Sequence, residues 1–251
     1  MHFVKMHGLG NDFVLLDGRQ TSYPLTPQKI QFLANRHRGI GFDQLILLEP
    51  MPGLINQYGL TFFNADGSSA EACGNGTRCA ALYLAKEIRK NTITFQISGT
   101  NVEATIQGND VTVNMGRPKT LRRFQSEDIP NLSGTYVNMG NPHVVFFTAR
   151  LLTDAQIHSI GHYFPKGVNI SCVQVIGSQS LQLDVFERGA GWTQACGTGA
   201  CATFAAAVYE KKLDSPITIH QKGGDLKLEM VNSGDILMTG PATFVFKGEL
   251  M

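Results

Sequence analysis

Two stretches of this 251-residue chain repeat one pattern, and each carries a cysteine at the same place. The first reads Asn64-Ala-Asp-Gly-Ser-Ser-Ala-Glu-Ala-Cys73-Gly-Asn-Gly, the second Glu187-Arg-Gly-Ala-Gly-Trp-Thr-Gln-Ala-Cys196-Gly-Thr-Gly. Both contain Ala-Cys-Gly-x-Gly and then run into an Ala-rich apolar stretch. The two cysteines lie 123 residues apart, about half the chain. A period that long excludes a solenoid, whose repeats run to about 20–50 residues, and implies one unit used twice.

The duplication extends beyond the cysteines. Each apolar stretch is followed by a β pattern, Thr92-Ile-Thr-Phe in one half and Pro216-Ile-Thr-Ile in the other, and then by alternating segments around turn residues, a hairpin signal. Upstream, Gly10-Asn11-Asp-Phe pairs with Gly140-Asn141-Pro-His143, and Gly41-Phe-Asp43-Gln44 falls beside Gly167-Val-Asn169-Ile170. The helices after Cys79 and Cys201 are apolar nearly all round, which demands burial on every side. Two shorter helices over residues 27–36 and 153–163 read as superficial, with starts at Thr26-Pro27 and Thr153-Asp154. The pattern therefore predicts an α/β (α+β) chain of two pseudo-symmetric domains, each a β-barrel-like sheet around a central helix. The charged stretch from Arg117 to Arg123 sets the boundary: 1–118, rejoined by 241–251, and 119–240. Such a pair would bring both cysteine segments to an interface, a common place for a small-molecule site.

Composition narrows the function. Lys plus Arg is 21 and Asp plus Glu is 20, a net charge of +1, which gives no electrostatic case for nucleic acid or an acidic membrane surface. No apolar run approaches the ~18 residues of a membrane span, and the first residues lack a signal-peptide pattern. Five cysteines without framework density point to reduced thiols and a cytoplasmic chain.

A cysteine opening a helix sits where backbone N–H groups lack partners and the helix dipole is positive. Both effects favour a thiolate, so this position predicts thiol pKa values below the ordinary ~8.5 for Cys73 and Cys196. The same N–H groups can hold a carboxylate, or the charge that develops on it when an α-proton leaves. Two thiols on opposite faces of one carbon suit a cofactor-free racemase or epimerase, one serving as base and the other as acid. Cys79, Cys172 and Cys201 lie within apolar runs and read as small structural hydrophobes. A zinc site is the next alternative, although neither cysteine has a Cys-x-x-Cys partner or a His at ligand spacing. A Cys73–Cys196 disulfide, as an oxidised form or as a redox switch in a non-catalytic protein, is a third.

Gly8-Leu-Gly10-Asn11-Asp12-Phe13, Gly41-Phe42-Asp43-Gln44, Phe63-Asn64-Ala65-Asp66-Gly67-Ser68, Cys73-Gly-Asn-Gly, Gly140-Asn141-Pro142-His143, Glu187-Arg188-Gly189 and Ala195-Cys196-Gly-Thr-Gly together resemble the diaminopimelate epimerase family, in order, from about residue 3 to residue 246. The resemblance implies a pyridoxal phosphate-independent isomerase that interconverts LL- and meso-2,6-diaminopimelate, on the route to lysine and peptidoglycan. It implies no cofactor and no metal, a homodimer, and Cys73 and Cys196 as the catalytic pair. It places substrate contacts at Asn11, Gln44, Asn64, Gly74, Asn75, Asn141, Asn169, Glu187, Arg188, Gly197 and Thr198, with His143 and Glu187 tuning thiol protonation. The chain departs from the family pattern in two places. Trp192 stands where an acidic residue is usual, so that loop must be held by packing, and Phe246 stands where a dimer-linked tyrosine is common. The runner-up is a proline- or hydroxyproline-type racemase of the same fold. Arg188 and the set Asn11, Asn64, Asn141 and Asn169 favour a longer zwitterionic substrate.

Overall fold

The computed structural model describes residues 1–51, 57–70, 72–129 and 132–250. Glu71, within the first cysteine segment, and Met251 lie outside the described residues. The chain forms two compact units, Met1–Asn114 with Thr239–Met251, and Met115–Met238. These divisions fall a few residues before the boundaries read from the sequence. The reason is local: Met115 N–H bonds to Ile236 O, and Ile236 N–H bonds to Gly116 O, so residues 115 and 116 are tied into the second unit.

The first unit contains β1 (His2–Gly8), β2 (Asn11–Asp17), α1 (Pro27–Ala34), β3 (Gln44–Pro50), β4 (Gln57–Asn64), β5 (Ser69–Ala70), α2 (Gly74–Ile88), β6 (Thr92–Ile97), β7 (Thr100–Gln107) and β8 (Asp110–Asn114). The second contains β9 (Thr120–Gln125), β10 (Ser133–Asn138), β11 (Pro142–Phe147), α3 (Asp154–His162), β12 (Asn169–Gly177), β13 (Ser180–Glu187), β14 (Gly191–Thr193), α4 (Gly197–Tyr209), β15 (Ile217–Gln221) and β16 (Gly224–Met230). β17 (Ile236–Pro241) carries the chain back, and β18 (Thr243–Glu249) joins the first unit by pairing with β1.

One topology is used twice. In the first unit β1–β2 is antiparallel, β2–β3 parallel, β3–β4 antiparallel, β4–β6 parallel and β6–β7 antiparallel, with β5 against β4. The second repeats this with β10–β11, β11–β12, β12–β13, β13–β15 and β15–β16, with β14 against β13. Each parallel pair needs a crossover, and α1, α2, α3 and α4 supply the four. The ladders also correct the alignment of the halves. Phe13 lies opposite Gln44 and His143 opposite Asn169, so Asn169 corresponds to Gln44 and not to Asp43.

Strands β2 and β3 are buried on both faces, which explains continuous apolar runs where a one-sided strand would alternate. One face carries Val14, Leu16 and Leu45 against Ile30, Leu33 and Ala34 of α1. The other presents Phe13 and Ile46, beside Phe62 of β4, to α2, where they crowd Gly76. In the second unit Val144, Phe146, Ile170 and Cys172 pack on Ile157 and Ile160 of α3. Helix α2 contacts β1, β2 and β3 as well as β6, β7 and β8, and α4 contacts β10 to β13 as well as β15 and β16, so each sheet curls around its helix. The sheets are open, curled layers and not closed barrels. Among the described residues no helix is long and apolar enough to cross a membrane.

The second glycine of each Cys-Gly-x-Gly is required by packing. A Cβ on Gly76 would lie 2.6 Å from Phe62 Cε1 and 3.2 Å from Phe13 Cε1, and one on Gly199 would lie 3.0 Å from Val185 Cγ2. Gly76→Ala is therefore expected to lower the unfolding free energy by about 1–3 kcal/mol despite alanine's better helix propensity. Gly199→Ala should cost less. Denaturant midpoints check both, and a Gly76→Ala protein as stable as wild type would contradict the packing.

Candidate active site

Each cysteine is the N-cap of its buried helix. Cys73 has an extended backbone, and its Sγ accepts from Gly76 N–H at 3.4 Å. Cys196 does the same, with Sγ accepting from Gly199 N–H at 3.3 Å. Sulfur here takes the place of the Ser or Thr oxygen that usually caps the third N–H. The N–H groups of Gly74 and Asn75, and of Gly197 and Thr198, belong to the first turns and have no intrahelical acceptor. Each thiol therefore sits beside a ready-made anion site.

In the first unit Asn11 and Asn75 meet at Cys73. Asn11 Oδ1 lies 3.8 Å from Cys73 Sγ and accepts from Asn75 Nδ2 at 3.3 Å. Asn75 is almost fully buried, and its Oδ1 finds no partner among the described residues. Gln44 and Asn64, opposite one another on β3 and β4, are joined by a 2.9 Å bond from Gln44 Nε2 to Asn64 Oδ1. Asn64 Nδ2 in turn donates to Ser68 Oγ at 3.0 Å.

The second unit gathers different groups. Cys196 Sγ lies 3.3 Å from Glu187 Oε2 and 3.5 Å from Thr198 Oγ1. Glu187 is fixed by Thr193, whose hydroxyl donates to Oε1 at 2.7 Å. His143 Nε2 lies 3.2 Å from both Asn141 Oδ1 and Thr198 Oγ1, and 3.4 Å from Asn169 Nδ2. Asn141 Nδ2 donates to Thr198 Oγ1 at 3.2 Å. Asn169 Oδ1 accepts from Arg188 N–H at 2.9 Å, whereas the exposed Arg188 guanidinium donates to Lys166 O at 2.6 Å. Trp192 packs edge-on against Phe186, with ring centroids 5.5 Å apart, and so anchors the loop by packing.

The thiol expectation fails at Cys196. Burial pushes this thiol well above its ordinary value, and the Glu187 carboxylate pushes it further. The Thr198 hydroxyl and Gly199 N–H act in the opposite direction and do not offset them. Cys79 is pushed up to about 12 by burial, as suits a structural thiol. Burial pulls His143 down to about 3, so its imidazole is neutral. Its Nδ1 is buried without a partner among the described residues. Thr198 Oγ1 sits between Asn141 and His143 on one side and Cys196 Sγ on the other.

Sequence reasoning missed Gln221. Its Oε1 accepts from the buried Cys196 N–H at 2.8 Å, and the neighbouring Gly223 N–H bonds to Gln194 O at 2.9 Å. The turn after β15 thus clamps the second cysteine loop. Gln221 ends a strand far from any motif, and no local pattern marks it. Among the described residues no group of three or more His, Cys, Asp or Glu side chains could hold a metal ion.

The duplicated α/β fold is shared with solved structures. An epimerase of Pseudomonas aeruginosa, described as such by prediction, shares the fold at TM-score 0.77 and 16% identity, covering 100% of this chain and 99% of that one. The family model for diaminopimelate epimerase matches residues 3–121 and 135–245. A diaminopimelate epimerase from Zymomonas mobilis is 39% identical over 98% of this chain and 96% of its own length. Another, from Legionella pneumophila, is 40% identical over 99% and 98%. The chain belongs to the diaminopimelate epimerase family.

Two predictions test the electrostatics. Glu187→Gln removes the negative charge beside Cys196, so the midpoint pH of Cys196 alkylation should fall. An unchanged or higher midpoint would contradict the geometry. His143 takes a proton near 6.5 when unfolded but only near 3 when folded, so its contribution is complete above 6.5 and lost as pH falls toward 3. His143→Gln should therefore flatten the acid side of the stability curve by one proton, about 1.4 kcal/mol per pH unit between about pH 6 and 4. Unfolding free energies in that range give the comparison, and parallel curves would refute it.

Proposed function

We propose that this protein interconverts LL- and meso-2,6-diaminopimelate, with Cys73 and Cys196 as the two proton-transfer groups. The observation that carries the reading is the sulfur cap: both copies of the unit hold a cysteine at the N-terminus of their buried helix, in a chain of this family.

An amino-acid α-proton is a very weak acid, and removing it requires a base in contact and stabilisation of charge on the carboxylate. One sulfur, as thiolate, takes the α-proton and becomes a thiol. The electron pair left on the α-carbon is stabilised through the carboxylate held by the helix N–H groups. The other sulfur, as thiol, delivers its proton to the opposite face and becomes a thiolate, so the centre is inverted. For the reverse substrate the roles exchange. Glu187, accepting from the Cys196 thiol, holds that sulfur protonated, while Thr198 donates to the sulfur once the proton has gone. The neutral His143 fixes Thr198 without adding charge.

Asn11, Gln44, Asn64, Gly74, Asn75, Asn141, Asn169, Arg188, Gly197 and Thr198 serve the two amino-acid ends of the substrate. Buried Asn75 Oδ1 offers an acceptor for an ammonium group, and Arg188 offers a cation for the distal carboxylate. A smaller amino acid would leave such groups unpaired, which supports discrimination against it. The chemistry is assigned to the thiols without pyridoxal phosphate. The reading extends to a cytoplasmic homodimer serving lysine and peptidoglycan synthesis. Half-exposed Val245 and Phe246 on β18 support the dimer.

Reduced protein incubated with LL-diaminopimelate should yield the meso isomer by chiral separation. Cys73→Ala and Cys196→Ala should each lower that rate at least about a hundredfold. No conversion by folded wild type, or near-full activity in either variant, would overturn the proposal.

A further inference from the structure

Asp43 belongs to one of the duplicated motifs but has no part in the chemistry above. Its surroundings are unlike those of its counterpart in the second unit. Asp12 accepts two bonds from Arg36, at 2.9 and 2.7 Å, and a 2.5 Å contact from the buried Lys5, which also donates to Gly41 O. Arg36 reaches Asp43 Oδ1 as well, at 2.9 Å. Asp43 N–H bonds to Asp12 Oδ1, and Asp12 N–H bonds back to Asp43 Oδ2, so the starts of β2 and β3 are laced together. Burial alone would raise the Asp12 carboxyl, but the bonds from Arg36 and Lys5 outweigh it and hold it well below the usual range. Asp12 is therefore held in its ionised form.

Asp43 Oδ2 has a second neighbour, the side-chain amide of Asn11, at 3.0 Å. A carboxylate oxygen can only accept, so the Asn11 atom facing it must be Nδ2. That fixes the other end: Oδ1 is the atom turned to Cys73 Sγ at 3.8 Å and to Asn75 Nδ2 at 3.3 Å. In the second unit the ladders put Pro142 and Val168 at the positions of Asp12 and Asp43, and Asn141 is oriented by Thr198 and His143. The acidic pair is thus a device of the first unit alone.

We propose that Asp43 is a positioning residue for the first thiol: its carboxylate locks the Asn11 amide so that an acceptor oxygen, and not an N–H donor, faces Cys73. The inference rests on the proposed role of Cys73 as a reactive group. With Asp43 removed, Asn11 can turn its amide over and offer Nδ2 to the sulfur, which favours the thiolate and speeds alkylation.

The test is residue-resolved alkylation of Cys73 by iodoacetamide at fixed pH, followed by mass spectrometry. It compares wild type, Asp43→Ala, Asn11→Ala and the double variant. Loss of the Asp43 charge, or a looser loop, raises the rate in both backgrounds, and only the orientation of Asn11 depends on the amide. Asp43→Ala should raise the rate at least about threefold more with Asn11 present than in the Asn11→Ala background. Asp43→Glu, which keeps a carboxylate, should return the rate toward wild type. Equal effects in both backgrounds, or no rescue by Asp43→Glu, would overturn the proposal. If Asp43→Ala does not unfold cooperatively, Asp43→Ser, too short to reach Asn11, is read in the same way. The readout involves no turnover, so it stands apart from the identity of the substrate.

Discussion

A sulfur atom capping the third N–H of a helix buried inside its own sheet is the constraint from which the rest of each unit follows. A helix wrapped on all sides must be apolar all round, hence the alanine-rich runs after Cys79 and Cys201. Strands that close over its first turn leave no room for a Cβ at the third position, hence Gly76 and Gly199. A helix end buried without acceptors would be costly, and a capping side chain answers that cost. Serine or threonine would cap as well. What cysteine adds is a group that can carry a proton at the mouth of an anion site, so structural and chemical requirements meet in one side chain.

Duplication gives two such ends, and divergence makes them unlike. Phe13 in the first unit corresponds to His143 in the second, Asn75 to Thr198, and the Asp12–Asp43 pair to Pro142 and Val168. Asn64 and Glu187 end matching strands, each nine residues before its cysteine. The first sulfur has amide neighbours, and the second has a carboxylate and a hydroxyl fixed by a neutral imidazole. Proton transfer across one carbon needs one sulfur charged and one neutral at the outset. Glu187 at 3.3 Å from Cys196 biases the second sulfur toward the protonated form.

The duplicated motif, the buried helices and the two superficial helices could be read from the sequence because they rest on local pattern and apolar periodicity. Thr26 and Thr153 cap their helices where expected, the latter in a full capping box. Register was less legible. A one-residue ambiguity in a strand has no sequence signature: the sequence pattern sets Asp43 beside Asn169, whereas the ladders put Gln44 there. The upward shift of the Cys196 thiol was also out of reach, because its largest cause is burial; Glu187 was legible only through the family resemblance. Gln221 went unseen because it reaches Cys196 from a strand 25 residues further on; the Arg36–Asp43 bridge spans only seven residues but lies in a loop with no periodic pattern to mark it.

The central claim is that two sulfurs, and not one, exchange protons with a single α-carbon. Its most direct measurement is the isotope content of both isomers early in the reaction of LL-diaminopimelate in D₂O. The thiols exchange with solvent, so the account predicts deuterium at the inverted carbon of essentially all meso product while the remaining LL substrate stays protiated. Protium carried through into the meso product would mean that one group removes and returns the same proton, and would contradict the two-thiol account.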